Sequence, residues 1–122
     1  MGKIAFISIT LSFLLIACFK ESVDESVNNG AAVKIGPLEW TTKNLNVTNF
    51  ANGDLIPEAK TDKEWKEAGD NGKPAWCYYN NDPENGKRFG KLYNWYAVDD
   101  PRGLCPEGWH IPRHDEWETL IN

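Results

Sequence analysis

Val33-Lys34-Ile35-Gly36-Pro37-Leu38-Glu39-Trp40-Thr41 is the stretch in which the chain stops reading as tether and starts reading as fold. Val33 to Ile35 and Leu38 to Thr41 alternate apolar and polar side chains with period two, as half-buried strands do, and Gly36-Pro37 between them is a turn signal. A hairpin-like start is predicted here. All six tryptophans, Trp40, Trp65, Trp76, Trp95, Trp109 and Trp117, fall beyond Val33, so the apolar area that a core requires lies downstream.

Working toward the C-terminus, Leu45-Asn46-Val47 repeats the alternation and predicts another strand. Thr61-Asp62-Lys63-Glu64 has the spacing of a capping box. Trp65 and Ala68 follow at i and i+3, and Gly69 is the predicted stop of one short helix. Ala75 to Tyr79 is aromatic-rich and predicts a strand entering a polar loop at Asn80-Asn81-Asp82-Pro83. Leu92 to Val98 stays ambiguous: Leu92, Trp95 and Tyr96 fit a helix, while the aromatic composition fits a strand. After Pro112, Asp115-Glu116-Trp117-Glu118 opens a helix with Trp117, Leu120 and Ile121 on its apolar face. No glycine, proline or strand follows, so the sequence reads as a chain cut inside a domain.

Working toward the N-terminus, Phe19 to Ala32 is polar and acidic and predicts a flexible linker over residues 18–32. Residues 1–17 read as an export signal: one lysine, then thirteen uncharged residues from Ile4 to Ile16, about 20 Å of helix against the roughly 30 Å of a bilayer core. Leu15-Ile16-Ala17-Cys18 resembles the bacterial lipobox, which implies lipidation of Cys18, durable anchoring and the membrane as a partner. Lys20 and Glu21 weakly resemble a surface-export signal. The expected location is the cell envelope, at the outer membrane or cell surface.

Composition narrows the function. With 122 residues there is room for one small domain. Thirteen basic against eighteen acidic residues, a net charge of -5 and a pI near 5.0 argue against nucleic acid and acidic lipid surfaces as electrostatic partners. A mean hydropathy of -0.54 with this many aromatics describes a soluble folded chain rather than a disordered one.

Four blocks, Trp40 to Val47, Ala75 to Asp82, Gly90 to Val98 and Cys105 to Pro112, resemble in order and spacing the Fibrobacter succinogenes major paralogous domain. Gly108-Trp109-His110-Ile111-Pro112 followed by Asp115-Glu116-Trp117 is also similar to a segment of the formylglycine-generating enzyme and C-type-lectin-like superfamily. The resemblance covers residues 33–122, about the first half of a family domain. It implies an α+β fold: a small irregular antiparallel sheet with short helices and long loops, C-type-lectin-like and truncated. It also implies an extracytoplasmic binding or structural module, with a glycan or other surface ligand as the suspected partner. Arg113 stands where such sequences place Ser or Thr, and Asp115 is the expected substitute cap of a helix that starts slightly later.

The candidate chemistry is modest. With Cys18 assigned to lipid, Cys77 and Cys105 are left to pair in an oxidising compartment, closing a loop of roughly 28 residues for about 3 to 4 kcal/mol; two buried thiols are the alternative. His110 and His114 stand four apart, but Pro112 between them keeps the rings off one helix face, so no metal is expected and His110 reads as structural. Asn80 to Gly86 is oxygen-rich, yet Pro83 and Leu92 fall at calcium-ligand positions, and an Asx-turn loop is the better account. Asp99-Asp100-Pro101-Arg102 predicts a turn with an ion pair. Tyr78, Tyr79, Tyr93 and Tyr96 come in close pairs, so alternation sends some outward, and these are the candidate ligand contacts. No phosphate loop, nucleophile elbow or His-Glu-x-x-His motif occurs, so no enzyme, catalytic residue or cofactor is expected. The alternatives are a gene fragment without independent activity and a remnant of a formylglycine-generating-type enzyme.

Overall fold

The computed structural model describes residues 18–21 and 32–122. The predicted export signal at 1–17 and most of the predicted linker lie outside the described residues. The hairpin read from Val33 is present: β2 (Ala32–Ile35) and β3 (Leu38–Thr41) pair antiparallel, with Ile35 opposite Leu38 and Val33 opposite Trp40. The turn is two residues long, and Gly36 takes φ +60 in its first position, the left-handed geometry that glycine adopts without steric cost. The alternation of β3 works as predicted, burying Leu38 and Trp40.

A third strand stands where the sequence reads as tether. β1 (Phe19–Glu21) pairs antiparallel with β3, Phe19 opposite Trp40 and Glu21 opposite Leu38, giving the sheet order β1-β3-β2. Residues 18–21 are therefore corrected from linker to fold. Lys20 and Glu21 gave no apolar signal because the strand is held by a ladder to residues some twenty positions away.

The helix announced by Thr61 is α1 (Asp62–Asp70), and its capping box is complete: Thr61 Oγ1 accepts from Glu64 N–H at 3.2 Å, and Glu64 Oε2 accepts from Thr61 N–H at 3.2 Å. It runs past the predicted stop at Gly69. Asn71 caps its end by donating Nδ2–H to Glu67 O at 2.7 Å, and Gly72 supplies the positive φ of +66. The strand predicted over Ala75 to Tyr79 shrinks to β4 (Trp76–Cys77), followed by a 3₁₀ turn at Tyr79–Asn81. Most of the predicted Asx loop is a helix, α2 (Pro83–Phe89): Asp82 does accept from Glu84 N–H at 2.9 Å, but that bond caps a helix with proline in its first turn.

The ambiguous run contains both elements. β5 (Leu92–Tyr93) pairs antiparallel with β4, and α3 (Trp95–Val98) starts immediately after Asn94. Leu45 to Val47 forms no strand. Leu45 is buried, but the carbonyls of this segment accept from the Lys91 backbone, Lys91 Nζ and the Tyr93 hydroxyl rather than from a ladder. The last helix, α4 (His114–Ile121), starts one residue before Asp115, so Asp115 is not its cap; Arg113 stands at the N-cap, and its own N–H is accepted by Glu116 Oε2 at 2.7 Å.

Three apolar clusters hold these parts. The largest joins Cys18, Leu45, Phe50, Ile56, Trp76, Tyr93, Ala97, Leu104 and Cys105. A second seats α4 on the three-stranded sheet through Trp117 and Leu120 against Leu38 and Trp40, the two indole rings 5.0 Å apart. A third packs Trp65 and Ala68, the i and i+3 pair of α1, on Ala59, Ala75 and Cys77. The result is a small α+β fold with two small antiparallel sheets and short helices.

The disulfide differs from the predicted pair. Cys105 is bonded to Cys18, their Cα atoms 5.7 Å apart, and Cys77 is a buried free thiol. The reason is packing: Cys18 and Cys105 belong to the largest cluster, whereas Cys77 belongs to the cluster beneath α1. The Cys77–Cys105 assignment is therefore corrected.

Candidate functional site

Pro57 to Ala59 runs alongside β4. Trp76 N–H donates to Pro57 O at 2.9 Å and Ala59 N–H donates to Trp76 O at 2.8 Å, with Glu58 and Trp76 in a parallel bridge. That pairing buries Ala59 and leaves Glu58 and Lys60 exposed. The facing wall begins at Tyr78, whose ring meets Trp76 edge-on at 5.1 Å. Asn80 and Asn81 then take φ 54 and 55, consecutive left-handed positions that asparagine tolerates better than other side-chain-bearing residues. Asn81 Nδ2 donates to Asp62 Oδ1 at 2.8 Å, and Asn85 Nδ2 donates to Tyr79 O at 2.9 Å, so the turn is tied to α1 and α2.

Between these walls lies a groove of about 460 Å³ lined by Glu58, Ala59, Lys60, Tyr78, Asn81 and Pro83. It is within the size range of small-molecule sites. Its chemistry is one aromatic ring, one carboxylate, one ammonium and one amide. Behind Tyr78, the Lys91 side chain is buried; Nζ donates to Asn46 O at 3.1 Å and to Asn46 Oδ1 at 2.5 Å, and lies 4.8 Å from the Trp76 ring centre and 5.6 Å from that of Tyr78. Burial holds its pKa below the usual lysine value, and the Glu58 carboxylate partly offsets this. Lys91 thus braces the aromatic wall from behind.

The four candidate tyrosines part company. Tyr78 lines the groove. Tyr79 is exposed, with its ring edge-on to Phe89 at 5.9 Å. Tyr96 is half-buried with its ring beside Gly72, outside the groove lining. Tyr93 is a core residue, 3% exposed, its hydroxyl donating to Val47 O at 2.7 Å. Burial pushes that phenol's pKa well up, so Tyr93 is corrected from candidate contact to packing residue. Glu58, Lys60, Asn81 and Pro83 were not singled out by the sequence. Asn80-Asn81 beside an aromatic strand was the one available signal, since paired asparagines are suited to left-handed turns.

The Cys77 thiol and the two histidines lie outside the groove lining. Burial, followed by the charges of Asp62 and Glu58, pushes the Cys77 thiol up to about 11, which leaves almost no thiolate near neutrality. His110 Nε2 lies 2.8 Å from Glu116 Oε1, which also meets Arg113 Nη2 at 3.1 Å. His110 is thus a hydrogen-bonded residue at the start of α4, and His114 pairs separately with Glu118 at 3.3 Å. Among the described residues, no group of three His, Cys, Asp or Glu side chains is placed to hold a metal ion. Arg102 makes the ion pair expected of its turn, with Nε 2.9 Å from Asp100 Oδ1, and adds a second with Asp54 at 3.2 Å.

No curated protein and no solved structure matches the chain. The model of the Fibrobacter succinogenes major domain matches residues 33–122, a span that starts at the predicted hairpin and includes the whole groove. The chain belongs to the Fibrobacter succinogenes major domain family.

Proposed function

We propose that this chain is a lipid-anchored envelope protein whose family domain is a binding module, with the groove beside Tyr78 taking a carbohydrate. The groove itself carries the reading: an aromatic ring stands next to a carboxylate, an ammonium and an amide within about 460 Å³. A pyranose presents apolar C–H faces to such a ring and hydroxyls to such polar groups. We read the site as a binder; the buried Cys77 thiol and the Glu116-bonded His110 lie outside its lining. The export signal and lipobox resemblance support the envelope location.

A glycan array probed with the full chain tests this. Lys60→Ala and Glu58→Gln alter exposed side chains and leave the melting temperature near that of the parent, while Tyr78→Ala removes the stacking face. At least a tenfold weakening by Tyr78→Ala, and a smaller one by each of the other two, is expected for any saccharide retained. A folded chain that retains no saccharide, or one whose affinity ignores all three substitutions, refutes the proposal.

A further inference from the structure

Cys18 carries two incompatible assignments, and the structure shows why both matter. Its side chain is fully buried in the largest cluster, its sulfur is bonded to Cys105, and its carbonyl accepts Thr41 N–H at 3.3 Å. The next three residues are β1. Apart from Cβ, that sulfur can hold one covalent partner: Cys105 or a lipid. A lipid-bearing Cys18 must also reach a bilayer, which a side chain inside the core does not. Lipidation of the free thiol therefore keeps Cys18 out of the cluster, precludes the cross-link and withdraws β1 from the edge of β3.

Cys77 does not take the vacant place. It is buried among Ala59, Ala75, Trp65, Ala68 and Leu92, in a different cluster from Cys105. Nothing in the packing brings the two sulfurs together without displacing the segment beneath α1.

We propose that Cys18 is a branch point between two exclusive covalent forms: a lipid-bearing form with sulfur alkylated and Cys105 left as a free thiol, and a lipid-free form locked by the Cys18–Cys105 disulfide. This rests on the lipid-anchor reading above. In the anchored branch the Cys18 sulfur loses its proton and forms a bond to the glyceryl carbon of a phospholipid, whose phosphate headgroup departs with the electron pair of the broken carbon–oxygen bond. In the locked branch the two thiols give up two protons and two electrons to the disulfide of an oxidising thiol–disulfide exchange protein, which becomes a dithiol.

The full chain, exported in a bacterial host, is denatured without reductant, tagged with a maleimide polymer and resolved by mass into lipid-bearing and lipid-free chain. Lipid-free chain is expected to carry one tag, on Cys77, and lipid-bearing chain two, on Cys77 and Cys105. Cys77→Ser is expected to lower these counts to none and one. Peptide mass spectrometry places each tag and the lipid. A lipid-bearing chain in which Cys105 is already bonded to Cys77 overturns the branch while leaving the anchor intact. A lipid-free chain with Cys18 and Cys105 both reduced overturns it as well. A host that yields no lipid-bearing chain at all defeats the anchor reading, and the branch with it.

Discussion

A methyl group added at Gly86 would overlap Tyr78 Cε1 and stand 2.7 Å from its Cδ1. In an ordinary helix the exchange of glycine for alanine is worth about 1 kcal/mol of added stability. Here the neighbour is a ring already held against Trp76 and Lys91, so the overlap outweighs the helix propensity. Gly86→Ala is expected to lose about 1 to 3 kcal/mol and to weaken saccharide binding with it, as read by thermal melting and titration. A variant that melts above the parent would show that the ring yields freely. The same comparison explains what residue types revealed. Tyr78 and Tyr93 look alike in sequence, each in an aromatic block. Tyr93 is set apart by its place in the largest cluster and by a non-local acceptor, the Val47 carbonyl, whereas Thr61 announces its capping role because its partner lies three residues away.

At the scale of elements, Asn94 decides where β5 ends and α3 begins. Its Oδ1 accepts from Ala75 N–H and Ala97 N–H, each at 3.0 Å, and its Nδ2 donates to Lys73 O at 2.7 Å. One buried amide thus caps a helix and ties it to the approach to β4. Asn94→Ala leaves the buried Ala75 N–H without its acceptor and removes the cap of α3, and is expected to cost about 2 to 4 kcal/mol. Thr61→Ala, on the exposed start of α1, should cost about 1 kcal/mol. Denaturant unfolding of both variants checks the order, and Thr61→Ala proving the more damaging would contradict it. Local signals made α1 and the β2–β3 hairpin legible. They failed for β1, whose ladder partner is remote, and for α2, whose Asn85-Gly86 composition favours a loop until Tyr78 packs over the glycine. The groove shares that limit, because its walls come from Glu58 to Lys60 and Tyr78 to Pro83, two segments brought together by the β4 pairing and the Asn81–Asp62 bond.

For the whole molecule, the loops around residues 50–54 and 100–105 are joined by few ties, and Arg102 is the most connected. Its guanidinium lies 4.1 Å from the Phe50 ring centre, bonds Asp100 through Nε and Nη2, both at 2.9 Å, and reaches Asp54 at 3.2 Å. The Ala51 N–H to Gly103 O bond of 2.8 Å runs beside it. The Arg102 hydrogen bonds hold the Asp100 carboxyl below its ordinary pKa; Asn52 first, then Arg102, do the same for Asp54. A carboxylate with a lowered folded-state pKa contributes stability that is fully present above its unfolded value, near 4, and lost as pH falls through the folded value. Arg102 keeps its charge throughout, its own pKa being raised by the same partners. Arg102→Gln is therefore expected to melt below the parent at pH 7, with the two melting curves converging as pH drops from about 4 toward 2. The Asp100 carboxyl resonance should titrate at higher pH in the variant, and the Asp54 resonance should move less because Asn52 still holds it. A melting difference that stays constant across this range would mean that Arg102 acts through its stacking on Phe50 rather than through the two carboxylates.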